Sequence, residues 1–84
     1  MKYLILTKRK PGFQETVLTA HFEYLQELRA AAKLGLAGGF TDKTGGAYVI
    51  EAENLEAARK IAFADPVYLT GSSDVTVYEW NARD

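Results

Sequence analysis

The stretch Leu36-Ala37-Gly38-Gly39-Phe40-Thr41-Asp42-Lys43-Thr44-Gly45-Gly46-Ala47-Tyr48-Val49-Ile50-Glu51-Ala52 decides the fold. Leu36–Thr41 and Ala47–Ala52 are short apolar segments, and Asp42-Lys43-Thr44-Gly45 between them has the composition of a turn, which predicts a β-hairpin. Before it, from about Glu15 to Leu34, apolar residues recur at helical spacing with no internal Gly or Pro. Gly35 stands where the residue after a helix end belongs. After the hairpin, Asn54 is a suitable N-cap for a second helix over Leu55–Ala64, stopped by Pro66. Tyr3–Thr7 at one end of the chain and Val75–Trp80 at the other have the β-branched and aromatic content of strands. The order is β-α-β-β-α-β. Connection rules then favour an α+β fold of the ferredoxin-like kind, a four-stranded antiparallel sheet with two helices on one face.

Alternation along the strands sets bulky apolar residues on both faces. Leu4 and Leu6 alternate with Tyr3 and Ile5, Ala47 and Val49 with Tyr48 and Ile50, and Tyr78 and Trp80 with Val75 and Val77. Helices cover one face only, so the helix-free face calls for a second cover, and a second copy of the chain is the simplest one. Size points the same way: a chain of 84 residues has little core, and with no cysteine it has no disulfide to support it. One histidine and no thiolate predict no metal centre, and no organic cofactor is expected. A net charge of −1 argues against nucleic acid as partner. The basic-aromatic signature of RNA-binding sheets is also missing from Gly46-Ala47-Tyr48-Val49-Ile50-Glu51. No apolar run reaches membrane-span length and no secretory leader pattern opens the chain, so the expected setting is the cytoplasm.

Chemistry has few places to reside. His21 sits in the middle of the helical arc formed by Leu18, Phe22, Leu25, Leu28 and Ala32, so it points toward the sheet. It reads either as a core histidine bonded to a backbone carbonyl or as an imidazole facing an internal pocket. Asp65 continues the inward stripe of Ala58, Ile61 and Ala62 to the C-terminal end of the second helix, the unfavourable end for an anion. Its two readings are a local turn bond ahead of Pro66 or a carboxylate that orients His21 as a general base. With both helices taken to run the same way, the start of one and the end of the other fall at opposite edges of the sheet, which opposes the pair.

These residues carry a resemblance. The segments Tyr3-Leu4-Ile5-Leu6, Ala20-His21-Phe22-Glu23-Tyr24-Leu25, Ala37-Gly38-Gly39-Phe40, Gly45-Gly46 and Ala64-Asp65-Pro66-Val67-Tyr68, with Gly71 beyond, occur in the order found in the YCII-related family. The chain resembles that family over nearly its whole length, as a single domain spanning 1–84. The resemblance implies a protomer of the dimeric α+β-barrel group, a homodimer through the helix-free sheet face, and a His–Asp pair in a cleft, at His21 and Asp65. It departs at Ala37, where many members carry serine, and at Ser72, where leucine is common and which bears on the pocket rim.

Gly38, Gly39, Tyr68 and Ser72 are the expected ligand contacts. For the two glycines a bulge or a close approach to the first helix is the stronger reading. Lys8-Arg9-Lys10 reads as a solvated loop, with attraction of an acidic ligand to the cleft mouth as the alternative. Ser72 and Ser73 lack any nucleophile-elbow context, which sets a hydrolytic triad aside. The functional expectation is a cofactor-free enzyme of isomerase or lyase type, moving protons on a small ring or carbonyl compound. The alternative is a non-catalytic module that binds a small ligand. Titration of His21, and its response to Asp65→Asn, separates the two.

Overall fold

A computed structural model describes residues 1–83. Its elements are β1 (Lys2–Arg9), α1 (Val17–Ala30), β2 (Leu34–Gly39), β3 (Gly45–Glu51), α2 (Leu55–Ala62), α3 (Pro66–Leu69) and β4 (Ser73–Trp80). The strands form one antiparallel sheet in the order β2-β3-β1-β4. This is the ferredoxin-like arrangement, with one extra helical turn, α3, between the second helix and the last strand.

Strand direction corrects one expectation. β1 is antiparallel to β3 and β4, and β2 is antiparallel to β3. Thus β1 and β2 run one way, β3 and β4 the other, and the helices that connect them run in opposite directions. The start of α1 and the end of α2 therefore lie at the same edge of the sheet. With antiparallel helices His21 and Asp65 are free to meet.

Register assigns the two faces. Ile5 lies opposite Tyr48 on β3 and Val77 on β4, whereas Leu4 lies opposite Val49 and Tyr78. Residues directly opposite one another share a face. The helix-covered face thus takes Tyr3, Ile5, Tyr48, Ile50 and Val77, and the first four are buried. Leu28 of α1 and Ala58 and Ala62 of α2 close over them. Burying an isoleucine such as Ile5 or Ile50 contributes roughly 1.5–3 kcal/mol, while two alanines one turn apart let α2 approach the sheet closely.

Local chemistry explains the element ends. Asn54 caps α2 by accepting from the Ala57 amide at 2.8 Å. The first helix stops at Ala30, four residues short of the expected Leu34. Ala32 adopts φ 58°, and the amides of Ala32 and Lys33 return to the carbonyls of Arg29 and Leu28. This paired C-terminal closure usually holds glycine at the left-handed position; here alanine takes it, and Gly35 lies inside β2. β1 also runs two residues beyond Thr7, so Lys8 and Arg9 belong to a strand and not to a loop.

Candidate active site

His21 lies on the second turn of α1, facing the sheet. Its Nδ1–H donates to both carboxylate oxygens of Asp65, at 2.8 and 2.9 Å. Asp65 is completely buried. It accepts two further bonds, from the Tyr48 hydroxyl at 3.0 Å and from the Val67 amide at 3.0 Å. An unpaired buried carboxylate is costly; here three donors converge on it.

The local sequence builds this acceptor. The second helix ends at Ala62, and Pro66 occupies the first position of α3. A residue before proline is driven out of the helical region, and Asp65 has φ −65° and ψ 131°, which makes it the N-cap of α3. The carboxylate is therefore beside an unsatisfied helix-start amide and not at the C-terminal end of α2, as its place in the sequence suggested. The turn bond and the histidine pair are not alternatives. Asp65 makes both.

Tyr48 completes this cluster: in sequence it is a sheet tyrosine that needs a polar partner if buried, and the structure supplies Asp65. Alternation placed it with Ile50 on the helix-covered face, but a strand tyrosine carries no local sign of its partner. Burial, followed by the negative charge of Asp65 and the hydrogen bond to it, pushes the Tyr48 hydroxyl far above the ordinary tyrosine range. It remains a donor at any ordinary pH. Tyr24 is also shifted up, by burial and then by Asp65, and its hydroxyl donates to the Ile61 carbonyl at 2.6 Å, tying α1 to α2.

His21 borders a cavity of about 220 Å³ between α1 and the sheet. Leu18, Phe22 and Leu25 line it from α1, and Thr7, Gly39, Gly46 and Tyr48 from the sheet. Arg9, Phe13, Val67 and Ser73 complete the wall with Ala37 and Gly38. Nε2 of His21 bonds to none of the described residues, and the side chain is 12% exposed. With Nδ1 committed to Asp65, Nε2 is the ring nitrogen available to a ligand.

The glycines divide by cause. A Cβ on Gly45 would collide with the Thr7 carbonyl, and one on Gly46 would lie 2.6 Å from the Gly38 carbonyl. Close strand approach therefore requires both. A Cβ on Gly38 would meet nothing within 4 Å, and one on Gly39 only the Gly45 carbonyl at 3.8 Å. The strand irregularity falls between Leu34 and Ala37, so neither a bulge nor crowding accounts for Gly38-Gly39. Both glycines border the cavity, and the open space beside Gly39 leaves it unfilled.

Two expected ligand contacts lie elsewhere. Tyr68 stacks on Phe63 with ring centroids 4.5 Å apart, and Ser72 bonds to Thr70 at 2.6 Å; neither borders the His21 cavity. Ser73, one residue on, does. Among the described residues no three His, Asp or Glu side chains gather in a metal-binding group.

Fold and site together define an α+β chain with a histidine–carboxylate pair opening onto a small cavity. The chain belongs to the YCII-related family, whose domain model matches residues 1–81. It is 46% identical over 81 residues to YjpA, an uncharacterized protein of Bacillus subtilis, covering 96% of this chain and 95% of that one. Among solved structures it is similar to 5-chloro-2-hydroxyhydroquinone dehydrochlorinase, TftG, of Burkholderia phenoliruptrix, in complex with 2,5-dihydroxybenzoquinone. That match has a TM-score of 0.78 and 28% identity, covering 96% of this chain and 94% of the other. Muconolactone isomerase shares the fold at a TM-score of 0.76 and 12% identity, over 99% of this chain and 91% of the other.

Proposed function

We propose that the protein is a cofactor-free general acid–base catalyst of isomerase or lyase type, acting on a small ring or carbonyl compound. The single observation that carries the reading is the division of labour in His21. Nδ1 is held by a buried carboxylate, and Nε2 borders a largely apolar cavity with no partner among the described residues. In this reading Nε2 takes a proton from a carbon next to a carbonyl. The C–H electron pair forms the enolate, and the Asp65 carboxylate stabilises the imidazolium that results. The proton then returns to a different carbon, which isomerises the compound, or the electron pair expels a leaving group, which is elimination. Similarity to a dehydrochlorinase over most of the chain supports a site of this kind. Asp65 and Tyr48 act through His21 and are positioning residues.

The catalyst is a homodimer in this proposal, joined through the helix-free face. Leu36, Tyr78 and Trp80 are 85%, 51% and 43% exposed in the single chain, and Leu4, Leu6 and Val49 lie among or beside them. Register places Tyr78, and not Val77, on that face, so Tyr78→Glu is the substitution that shifts light-scattering mass toward the monomer.

Solvent deuterium exchange tests the chemistry. The wild-type protein accelerates exchange beside the carbonyl of small unsaturated lactones and cyclic ketones, and His21→Gln lowers that rate by at least about 100-fold. Exchange that is equally fast in the variant excludes His21 as the base and leaves a binding module.

A further inference from the structure

We propose that Arg9 and Ser73 form an anion subsite of the His21 cavity, so that the ligand is a single-ring compound bearing an acidic oxygen, a carboxylate or a ring enolate. The inference builds on the proton-transfer reading by naming the substrate class of the same site.

Three observations carry it. First, Arg9 and Ser73 are directly opposite in the β1–β4 ladder, two residues from the Thr7–Val75 pair, and both border the cavity. Second, the Arg9 guanidinium lies over the Phe13 ring, 4.3 Å from its centroid, and makes no ion pair among the described residues. The neighbouring carboxylate, Asp74, faces Lys10 at 3.7 Å instead. A guanidinium that rests against a ring and has no carboxylate partner keeps its N–H groups available, and its fork of donors can receive two oxygens of one anion. Third, Ser73 is 3% exposed, yet its hydroxyl bonds to no described group. No buried side-chain polar atom among the described residues lacks a partner, so this hydroxyl is accessible at the cavity wall, where it can donate to an oxygen held by Arg9.

The remaining wall fixes the rest of the ligand. Leu18, Phe22, Leu25 and Ala37 offer only apolar contact, and the missing side chain at Gly39 leaves room for a flat ring. The cavity of about 220 Å³ lies below the roughly 300–1,000 Å³ typical of drug-sized sites, so one ring is the appropriate size.

Benzoate and benzamide, alike in shape and different in charge, provide the test. Amide chemical shifts of the full chain are followed during titration with each. The wild-type protein binds benzoate at least about tenfold more tightly than benzamide, with the largest shifts around Arg9, Ser73 and Gly39. Arg9→Met keeps the stem on Phe13 and abolishes the preference, Arg9→Lys retains part of it, and Ser73→Ala lowers benzoate affinity about threefold. His21→Gln keeps the preference. Equal binding of the two compounds, binding of neither, or a preference that survives in Arg9→Met overturns the subsite. Preference without deuterium exchange in any compound leaves the subsite standing and removes the proton-transfer reading. Exchange on neutral lactones with no anion preference does the reverse.

Discussion

The two ends of the cavity are built differently. At one end Asp65 is completely buried and accepts from His21, Tyr48 and Val67. At the other, the Arg9 guanidinium rests on the Phe13 ring with no ion pair, and the Ser73 hydroxyl has no partner, among the described residues. The first end is finished without a ligand, and folding energy maintains its geometry. The second is left incomplete, so its polar groups are available for binding. Substitutions should therefore register as stability at the Asp65 end and as affinity at the Arg9 end.

The largest effect comes from removing the shared acceptor. Asp65→Ala leaves three donors unmatched in the interior and should cost about 3–5 kcal/mol of unfolding free energy. Arg9→Met should stay within about 0.5 kcal/mol of wild type. Urea unfolding of both variants checks the contrast, and equal losses at the two ends would break it.

Alkaline pH sharpens the same comparison. The folded-state pKa of Tyr48 is raised, first by burial and then by Asp65, above the unfolded value of about 10. Its contribution is therefore fully present below about pH 10 and is lost as pH rises beyond that, because the unfolded chain releases a proton that the native state keeps. Stability should fall by up to about 1.4 kcal/mol per pH unit for this residue, with Tyr24 adding to the slope in the same direction. Tyr48→Phe, measured by urea unfolding between about pH 9 and 11, should give a shallower decline.

The smallest effect serves as a reference outside the cavity. Ala32 holds a left-handed φ of 58° at the end of α1, a conformation that costs a non-glycine residue about 1–2 kcal/mol. After the extra chain entropy of glycine is subtracted, Ala32→Gly should gain about 0.5–1 kcal/mol, visible as a higher thermal midpoint with ligand affinity unchanged.

Much of this protein is legible in local pattern. Period-two alternation placed Tyr48 and Ile50 on one face and Val49 on the other, and Asn54 marked the start of α2. The helical arc around His21 turned its ring inward. These are properties of neighbouring residues, and the backbone periods of 2.0 and 3.6 residues convert them directly into faces. Boundaries were less legible: Ala32 could end α1 without glycine because two amide bonds and the following strand hold it there.

What only the tertiary structure decided is who meets whom. The pairing of His21 with Asp65 spans 44 positions, and it depends on the opposed directions of α1 and α2, which follow from strand order and not from any local signal. The same holds for Tyr48, whose hydroxyl finds Asp65 because Pro66 turns the chain back under α1. In sequence Lys8-Arg9-Lys10 is a basic cluster that fits a solvated loop or a cleft mouth, and only the β1–β4 register sets Arg9 opposite Ser73. Residue type and spacing determined which side chains face inward. Chain direction and register, summed over the whole sheet, determined which of them share a cavity, because those quantities depend on contacts far apart in sequence that no local window contains.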